Sequence, residues 1–351
     1  MGTRKVAVVG GDGIGPEVTA QAVRLLEMLD KKRPLGLTLV QFDWGAEKYL
    51  REGVGLPKGA LQDLSDNYAA ILFGALGDKR IPDMAHGREI LLGMRFGLDL
   101  YVNYRPVTLL HPSLTPLKGV TDLDFVVLRE NTEGLYANVG GIFKEGTPDE
   151  VAQDVEVNTR KGVERIVRYA FELARKRRKK VCMTDKNNAV RYGGSLWQRV
   201  FKELKAQYPD VEATHLLSDV AAMEIVRNPA RFDVVVTNNF TGDILTDLGA
   251  AICGGLGVAP SANINPGKVS LFEPVHGSAP DIAGKGLANP LAAFLTTGLM
   301  LDYLGHPDLN AAIVAGAREC VAAGETAADL GGKLGTVAAA DALMERIARK
   351  V

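Results

Sequence analysis

The sequence predicts an α/β fold built on largely parallel sheet, organised as more than one lobe. Two observations carry this. Short β-branched runs alternate with longer amphipathic segments along the chain, the rhythm of strands joined by crossover helices. The 351 residues, 46% of them hydrophobic, can bury more than a single compact core holds. Neither an internal repeat nor a low-complexity linker interrupts the pattern.

The first strand is expected at Lys5–Val9, followed by a helix at Pro16–Leu29 that opens on proline, a residue suited to a helix's first turn. Further β-branched or apolar runs predict strands at Leu37–Phe42, Ala69–Phe73, Phe125–Leu128, Val181–Thr184, Phe232–Thr237 and Val269–Phe272. Helical spacing predicts Thr159–Arg177, Ser195–Gln207, Asp219–Arg227, Gly242–Ile252, Leu291–Leu304, Leu309–Ala323 and Val337–Arg349. Residues 137–157, with Gly140, Gly141, Gly146 and Pro148 among alternating Val and Phe positions, read as an extended, hairpin-like excursion. GGDGIGPEV (Gly10 to Val18) invites a dinucleotide-binding reading but does not fit it. Gly15 comes one place early for GxGxxG, and Pro16 stands where the last glycine belongs.

Bulk chemistry narrows the function. A formal net charge of −1 gives no global field for nucleic acid or an anionic membrane. The basic run Arg175 to Lys180 follows a predicted helix, where cations complement the carbonyl end and are expected to lie in solvent. No aromatic residue interleaves it as in a nucleic-acid patch. Cys182, Cys253 and Cys320 lie far apart without a CxxC, which favours buried thiols in a reducing compartment over disulfides or zinc. The strand begins too close to Met1 for a signal peptide, and the apolar stretch Pro290 to Leu301 is too short to span a bilayer. A cytoplasmic enzyme is expected.

Four constellations carry chemistry. Leu271 to Pro290, LFEPVHGSAPDIAGKGLANP, crowds Glu273, His276, Ser278, Asp281 and Asn289 between Pro274, Pro280 and Pro290, so it is a shaped loop rather than a regular element. Arg95, Arg105 and Arg129 offer planar donor forks that match carboxylates; the last two flank apolar stretches, where a buried charge needs an anionic partner. Asp243 and Asp247 share one helical face, and Gly242 marks a helix starting close to a ligand. The alternative is a first-turn aspartate with a solvated neighbour, but Asp219, opening another helix, adds a third carboxylate for Mg²⁺ or Mn²⁺. Lys186 follows a strand, where a desolvated lysine can act as a base, and Tyr136 follows Thr132-Glu133-Gly134.

Taken together, LFEPVHGSAPDIAGKGLANP, GGDGIGPEV, MRFGLDLYVNYRP, VVLRENTEGLY, TDKNNA and NNFTGDILTDLG closely resemble the β-decarboxylating 2-hydroxyacid dehydrogenases, which include isopropylmalate, isocitrate, homoisocitrate and tartrate/D-malate enzymes. The resemblance implies a two-lobed, non-Rossmann fold with central, mostly parallel sheets flanked by helices. Residues 1–102 and 256–351 would form a cofactor-binding lobe and residues 103–255 a dimerisation, metal and substrate lobe. The site would lie in the cleft between them, and residues 137–157 would form an interlocking arm. It further implies that Arg95, Arg105 and Arg129 clamp a malate-type dicarboxylate. Asp243 and Asp247, with Asp219 from a neighbouring subunit, would bind the metal and, through it, the substrate. Tyr136 and Lys186 would be the catalytic proton-transfer pair. Ile14, Glu273, His276, Gly277, Ser278, Ala279, Asp281, Ile282 and Asn289 would hold NAD, Asp281 reading the adenosine ribose. The chain departs from many relatives in having adjacent Asn187 and Asn188 after the lysine; Asn188 is aligned with the usual one.

At the substrate-sorting positions, Leu91 and Leu92 make an apolar surface where isocitrate enzymes place a serine and an asparagine and homoisocitrate enzymes an arginine. An isopropyl group suits that surface, so the expected activity is NAD-dependent oxidative decarboxylation of 3-isopropylmalate in leucine biosynthesis, by a homodimer with shared sites. RENTEGLY and YVNYRPV also resemble tartrate/D-malate enzymes, which stay open as the alternative.

Overall fold

A computed structural model of the protein describes residues 3–351. The chain divides into two compact units. The first takes the chain up to Leu100 with Thr108–Asp122 and Ala250–Val351; the second takes Tyr101–Val107 and Leu123–Gly249. Residues 108–122 and 250–255, expected in the second lobe, group with the first unit, and Tyr101 and Val102, expected in the first, group with the second.

In the first unit, Arg4–Gly11 is flanked by two parallel neighbours, Leu37–Phe42 (Val6 beside Leu39) and Tyr68–Ala75 (Val8 beside Leu72). Ser270–Pro274 joins Tyr68–Ala75 in parallel, and Pro260–Ile264 runs antiparallel beside it. Val6 to Val9 are all buried, the uninterrupted apolar run expected of a strand covered on both faces. Helix Gly15–Lys32 carries Pro16 in its first turn and buries Val18, Ala22, Leu25, Leu26 and Leu29, one face at helical spacing. Helix Leu291–Tyr303 is buried nearly all round, which explains its continuous apolar sequence. No helix among the described residues is long and apolar enough to cross a membrane.

In the second unit, Asp124–Glu130, Val234–Thr237, Lys180–Asp185 and Glu212–Leu217 lie parallel in that order. Val102–Thr108 neighbours the first of these. Helix Arg160–Arg175 is capped by Thr159, whose hydroxyl accepts the Gly162 N–H at 3.0 Å. Its Phe171 stacks on Phe201 and Tyr208, with ring centres 5.6 and 4.8 Å apart. In the 137–157 excursion, Gly140–Phe143 pairs antiparallel with Val151–Asp154 and exposes Ile142, Phe143 and Val151.

Several expectations are corrected. The strands Val102–Thr108, Glu212–Leu217 and Pro260–Ile264 were not legible as strands. In the first, Pro106 and alternating polar residues hide the pattern. The basic run lies in solvent as expected, apart from half-buried Arg177, but part of it is ion-paired. Arg175 grips Asp210, while Arg177 binds Asp124 and the buried Asp233. Asp233 also accepts the Arg178 backbone N–H at 2.8 Å. The three cysteines are buried, unpaired thiols, and burial pushes Cys253 up to about 12 and Cys320 to about 11.

Candidate functional site

A polar cluster lies in the second unit, where Asp124–Glu130 ends beside helix Asn239–Ala251. Asn238 caps that helix, its Oδ1 accepting the Thr241 N–H at 2.9 Å. The helix therefore starts three residues earlier than the glycine at 242 suggested, and Asp243 lies beyond its first turn. Gly242 has another reason to be glycine. A Cβ there would stand 2.6 Å from Cβ of Arg129, so only a bare backbone lets the arginine lie across the helix. The Arg129 Nε donates to Asn239 Oδ1 at 2.7 Å, and its Nη1 pairs with Asp243 Oδ1. The Tyr136 hydroxyl donates to Asp243 Oδ2 at 2.7 Å, and the Arg129 guanidinium lies 5.0 Å from the phenol ring centre.

Both oxygens of Asp243 are thus held. Burial works against its charge, but Arg129, the Tyr136 hydroxyl and Arg105 outweigh burial and keep the carboxyl below the usual range. Asp247, on the same helix, goes the other way, raised by burial and then by the charge of Asp243. Burial and the Asp243 hydrogen bond raise Tyr136, keeping its phenol protonated. Arg105 is buried on Val102–Thr108, with Nε donating to Asn103 Oδ1 at 2.9 Å.

The loop that presents Tyr136 is built around two glutamates. Buried Glu130 accepts the backbone N–H groups of Thr132 and Glu133 at 3.0 and 2.7 Å, and Glu133 accepts the Thr159 N–H at 2.7 Å. Asn239 joins this loop to the arginine, since its Nδ2 donates to the Glu133 carbonyl at 2.9 Å. Sequence reasoning missed Asn239; the paired asparagines before Gly242 were the available signal.

Lys186 and Asp219 form a second group. The ammonium follows Lys180–Asp185 and lies 2.7 Å from Asp219 Oδ1 in the first turn of helix Ser218–Arg227. The expected desolvated lysine is corrected: its side chain is about one-third exposed and ion-paired. The hydrogen bond from Lys186 holds the Asp219 carboxyl below the usual range. Asn187 packs under Gly194, while Asn188 is exposed.

Among the described residues of one chain, no three Asp, Glu, His or Cys side chains gather as a metal site. The trio Asp219, Asp243 and Asp247 is therefore not assembled within a single copy. Asp243 and Asp247 nevertheless fit a hard cation, being oxygen donors whose mutual repulsion a cation would relieve.

In the first unit, Arg95 Nη2 pairs with Glu273 Oε1 at 2.8 Å, and Asn263 Nδ2 donates to the same oxygen at 2.8 Å. Glu273, expected to touch the cofactor, is here a buried counter-ion of Arg95. Asn289 is likewise engaged. Its Nδ2 donates to Asp329 at 3.0 Å, and its Oδ1 accepts the Leu291 N–H at 3.0 Å, at the start of helix Leu291–Tyr303.

The rest of the Leu271–Pro290 loop is more open. Ile14 N–H donates to the Ser278 carbonyl at 2.8 Å, and a Cβ on Gly13 would collide with that oxygen, so the two glycine-rich turns nest together. Ala279 takes φ 39°, and Ile282 closes a turn onto its carbonyl at 3.1 Å. Burial lowers His276 and favours its neutral form; Nδ1 meets the Gly277 carbonyl at 3.1 Å, leaving buried Nε2 without a partner. Asp281 is 87% exposed and 3.1 Å from Lys79. An exposed carboxylate, an unsatisfied buried imidazole and a cradle of bare backbone fit a nucleotide. Leu91 and Leu92 are half-buried on a π-helical turn, Arg88–Leu92, and Leu91 packs on the core.

Residues 5–347 match the family model described as isocitrate/isopropylmalate dehydrogenase. The chain belongs to this family. It is an oxidoreductase by that membership. It is 46% identical, over 99% of both chains, to 3-isopropylmalate dehydrogenase of Thermobifida fusca. It is 47% identical to the enzyme of that name from Mycobacterium leprae, over 87% of this chain and 90% of that one. Among solved structures, isocitrate dehydrogenase from Methylococcus capsulatus superposes with a TM-score of 0.88 at 36% identity, covering 98% of this chain and 99% of that one.

Proposed function

We propose that this family member is an NAD-dependent 3-isopropylmalate dehydrogenase, converting its substrate to 2-oxoisocaproate and CO₂ in leucine biosynthesis. The observation that carries the chemistry is the Arg129–Asp243–Tyr136 cluster, which sets a carboxylate-binding fork, a cation-binding carboxylate and a phenolic acid within one hydrogen-bond network. The names of the relatives and the apolar pair Leu91 and Leu92 support the choice of substrate.

In this reading Arg95, Arg105 and Arg129 bind the two substrate carboxylates. Asp243 and Asp247, with Asp219 of a second copy, would hold Mg²⁺ or Mn²⁺; Ile14, Ser278, Asp281 and their neighbours would hold NAD⁺. When bound, the coenzyme supplies a hydride acceptor and the cation a positive charge beside the C2 oxygen. Lys186, which comes with its partner Asp219 from the second copy, accepts the C2 hydroxyl proton once its own ammonium has lost a proton to solvent and the ion pair has opened. As the bond from C3 to its carboxylate breaks and CO₂ departs, Tyr136 delivers a proton to C3. The products are the 2-oxoacid, CO₂ and NADH, with Lys186 protonated and the Tyr136 phenolate left to be reprotonated from solvent.

A homodimer with shared sites is part of the proposal. It is supported by the failure of the three aspartates to gather within one copy, and by exposed Met223, Val226, Phe240 and Ile244 on the helices that carry them. The test is stoichiometry: 3-isopropylmalate with NAD⁺ and Mn²⁺ should release CO₂ and NADH one for one. NADH without CO₂ would refute the decarboxylating assignment.

A further inference from the structure

The turn Gly11–Asp12–Gly13 packs against the end of Tyr68–Ala75: Asp12 N–H donates to the Ala75 carbonyl at 2.7 Å. The Asp12 carboxylate is buried and fully used. Oδ1 accepts the Ala46 N–H at 2.6 Å, at the start of helix Ala46–Glu52, and Oδ2 accepts the Gly77 N–H at 2.9 Å. The remaining partner is the imidazole Nε2 of His86, 2.9 Å from Oδ2. His86 is completely buried, and its other ring nitrogen has no partner, so its polar engagement is all with Asp12. A leucine would fill the same space without a buried imidazole to satisfy, so the polar pair contributes direction rather than hydrophobic stabilisation. Met84, just before it, takes φ 56°, a conformation costly for a residue with a side chain.

His86 lies in the first turn of the helical segment that begins at Ala85 and continues through the π-turn Arg88–Leu92 into Gly93–Gly97, which carries Arg95. A π-turn inserts one residue, rotating the side chains beyond it by about 100° relative to an uninterrupted α-helix. The directions in which Leu91, Leu92 and Arg95 point therefore depend on where the segment is pinned at its start. Ile90 and Met94 are buried in the core, a contact without directional preference. Glu89 gives a second directional tie, accepting the Gly55 N–H at 2.7 Å.

We propose that His86, through Asp12, is a positioning residue that sets Leu91 and Leu92 for the substrate's apolar side group. The inference rests on the substrate reading above. It is tested with His86→Leu, His86→Gln and Asp12→Asn, measuring melting temperature and kcat and KM for both 3-isopropylmalate and D-malate, which lacks the side group. Glutamine can present an amide N–H where Nε2 stands. His86→Leu should lower the isopropylmalate-to-D-malate ratio of kcat/KM about tenfold, the equivalent of one hydrogen bond to a charged group, through KM more than kcat. His86→Gln should restore most of the ratio, and Asp12→Asn should mimic His86→Leu, carrying the test if the leucine variant does not fold. A wild-type ratio above one that neither folded variant changes would overturn the positioning role alone, as would a glutamine variant no better than leucine. A wild-type ratio below one refutes the substrate reading, and the proposal falls with it.

Discussion

The helix face at Asp243 and the loop Leu271–Pro290 are both rich in polar residues, and they are finished to different degrees. Around Asp243, Arg129, Tyr136 and Asn239 bind one another, and Gly242 removes even the Cβ that would disturb them. In the loop, Glu273 and Asn289 are spent on structure, while His276 Nε2 lacks a partner and Asp281 faces solvent. In the proposed reading, the groups at Asp243 are positioned by the protein's own bonds, whereas the loop proposed for the coenzyme would be completed by what it binds. Preorganised polar groups at the reacting atoms are where rate enhancement comes from.

The strongest way to break this comparison is to remove one of the two groups proposed to transfer protons. Tyr136→Phe and Lys186→Ala should each lower kcat by about 10²- to 10⁴-fold, the usual worth of a positioned acid or base. Mixed under subunit exchange, the two inactive proteins should recover part of the activity if sites are shared; verified heterodimers without recovery would count against sharing.

A pair of glycine substitutions sharpens the contrast next. Gly242→Ala drives a methyl into Arg129 and should cost about 1–3 kcal/mol of stability in denaturant unfolding, with loss of activity. Gly277→Ala has no atom within 4 Å of the added carbon, so stability should move by less than about 0.5 kcal/mol. NAD⁺ binding, read by fluorescence titration, should nonetheless weaken. Equal stability losses at the two positions would erase the distinction between a finished site and an open one.

Much of this was legible in the sequence, for an identifiable reason. Arg105 and Arg129 stand at the edges of apolar runs, where a charge must have a partner, and Asp243 and Asp247 share a helical face. What was hidden depends on residues far apart in the chain. Nothing near Arg95 announces Glu273 as its counter-ion, and nothing near Asn289 announces Asp329. Gly242 was read as a helix start because its true constraint, the flank of Arg129, lies on another element. The strand Val102–Thr108 was masked by Pro106, and the basic run's partner Asp233 reaches it only through the sheet.

Coenzyme choice is a smaller effect on the open side of the comparison. Asp281 should repel a 2′-phosphate, a like-charge contact that costs several kcal/mol when desolvated. Lys79 beside it reduces that penalty at this exposed position. NAD⁺ should be preferred in kcat/KM, and Asp281→Lys should shift the preference toward NADP⁺; equal use of both by the wild type would contradict the role. Smallest of all, Leu92→Ala should weaken use of 3-isopropylmalate more than of D-malate, by the two- to tenfold expected from one partly buried side chain.

The most direct test of the whole account is a side-by-side assay of the wild-type enzyme with 3-isopropylmalate, D-malate, tartrate and isocitrate. Burying the isopropyl group's carbons is worth roughly 2 kcal/mol, so the account predicts a kcat/KM for 3-isopropylmalate ~30-fold above that for D-malate. Faster turnover of D-malate or tartrate would contradict it, leaving Leu91 and Leu92 as packing and the chain a different member of its family.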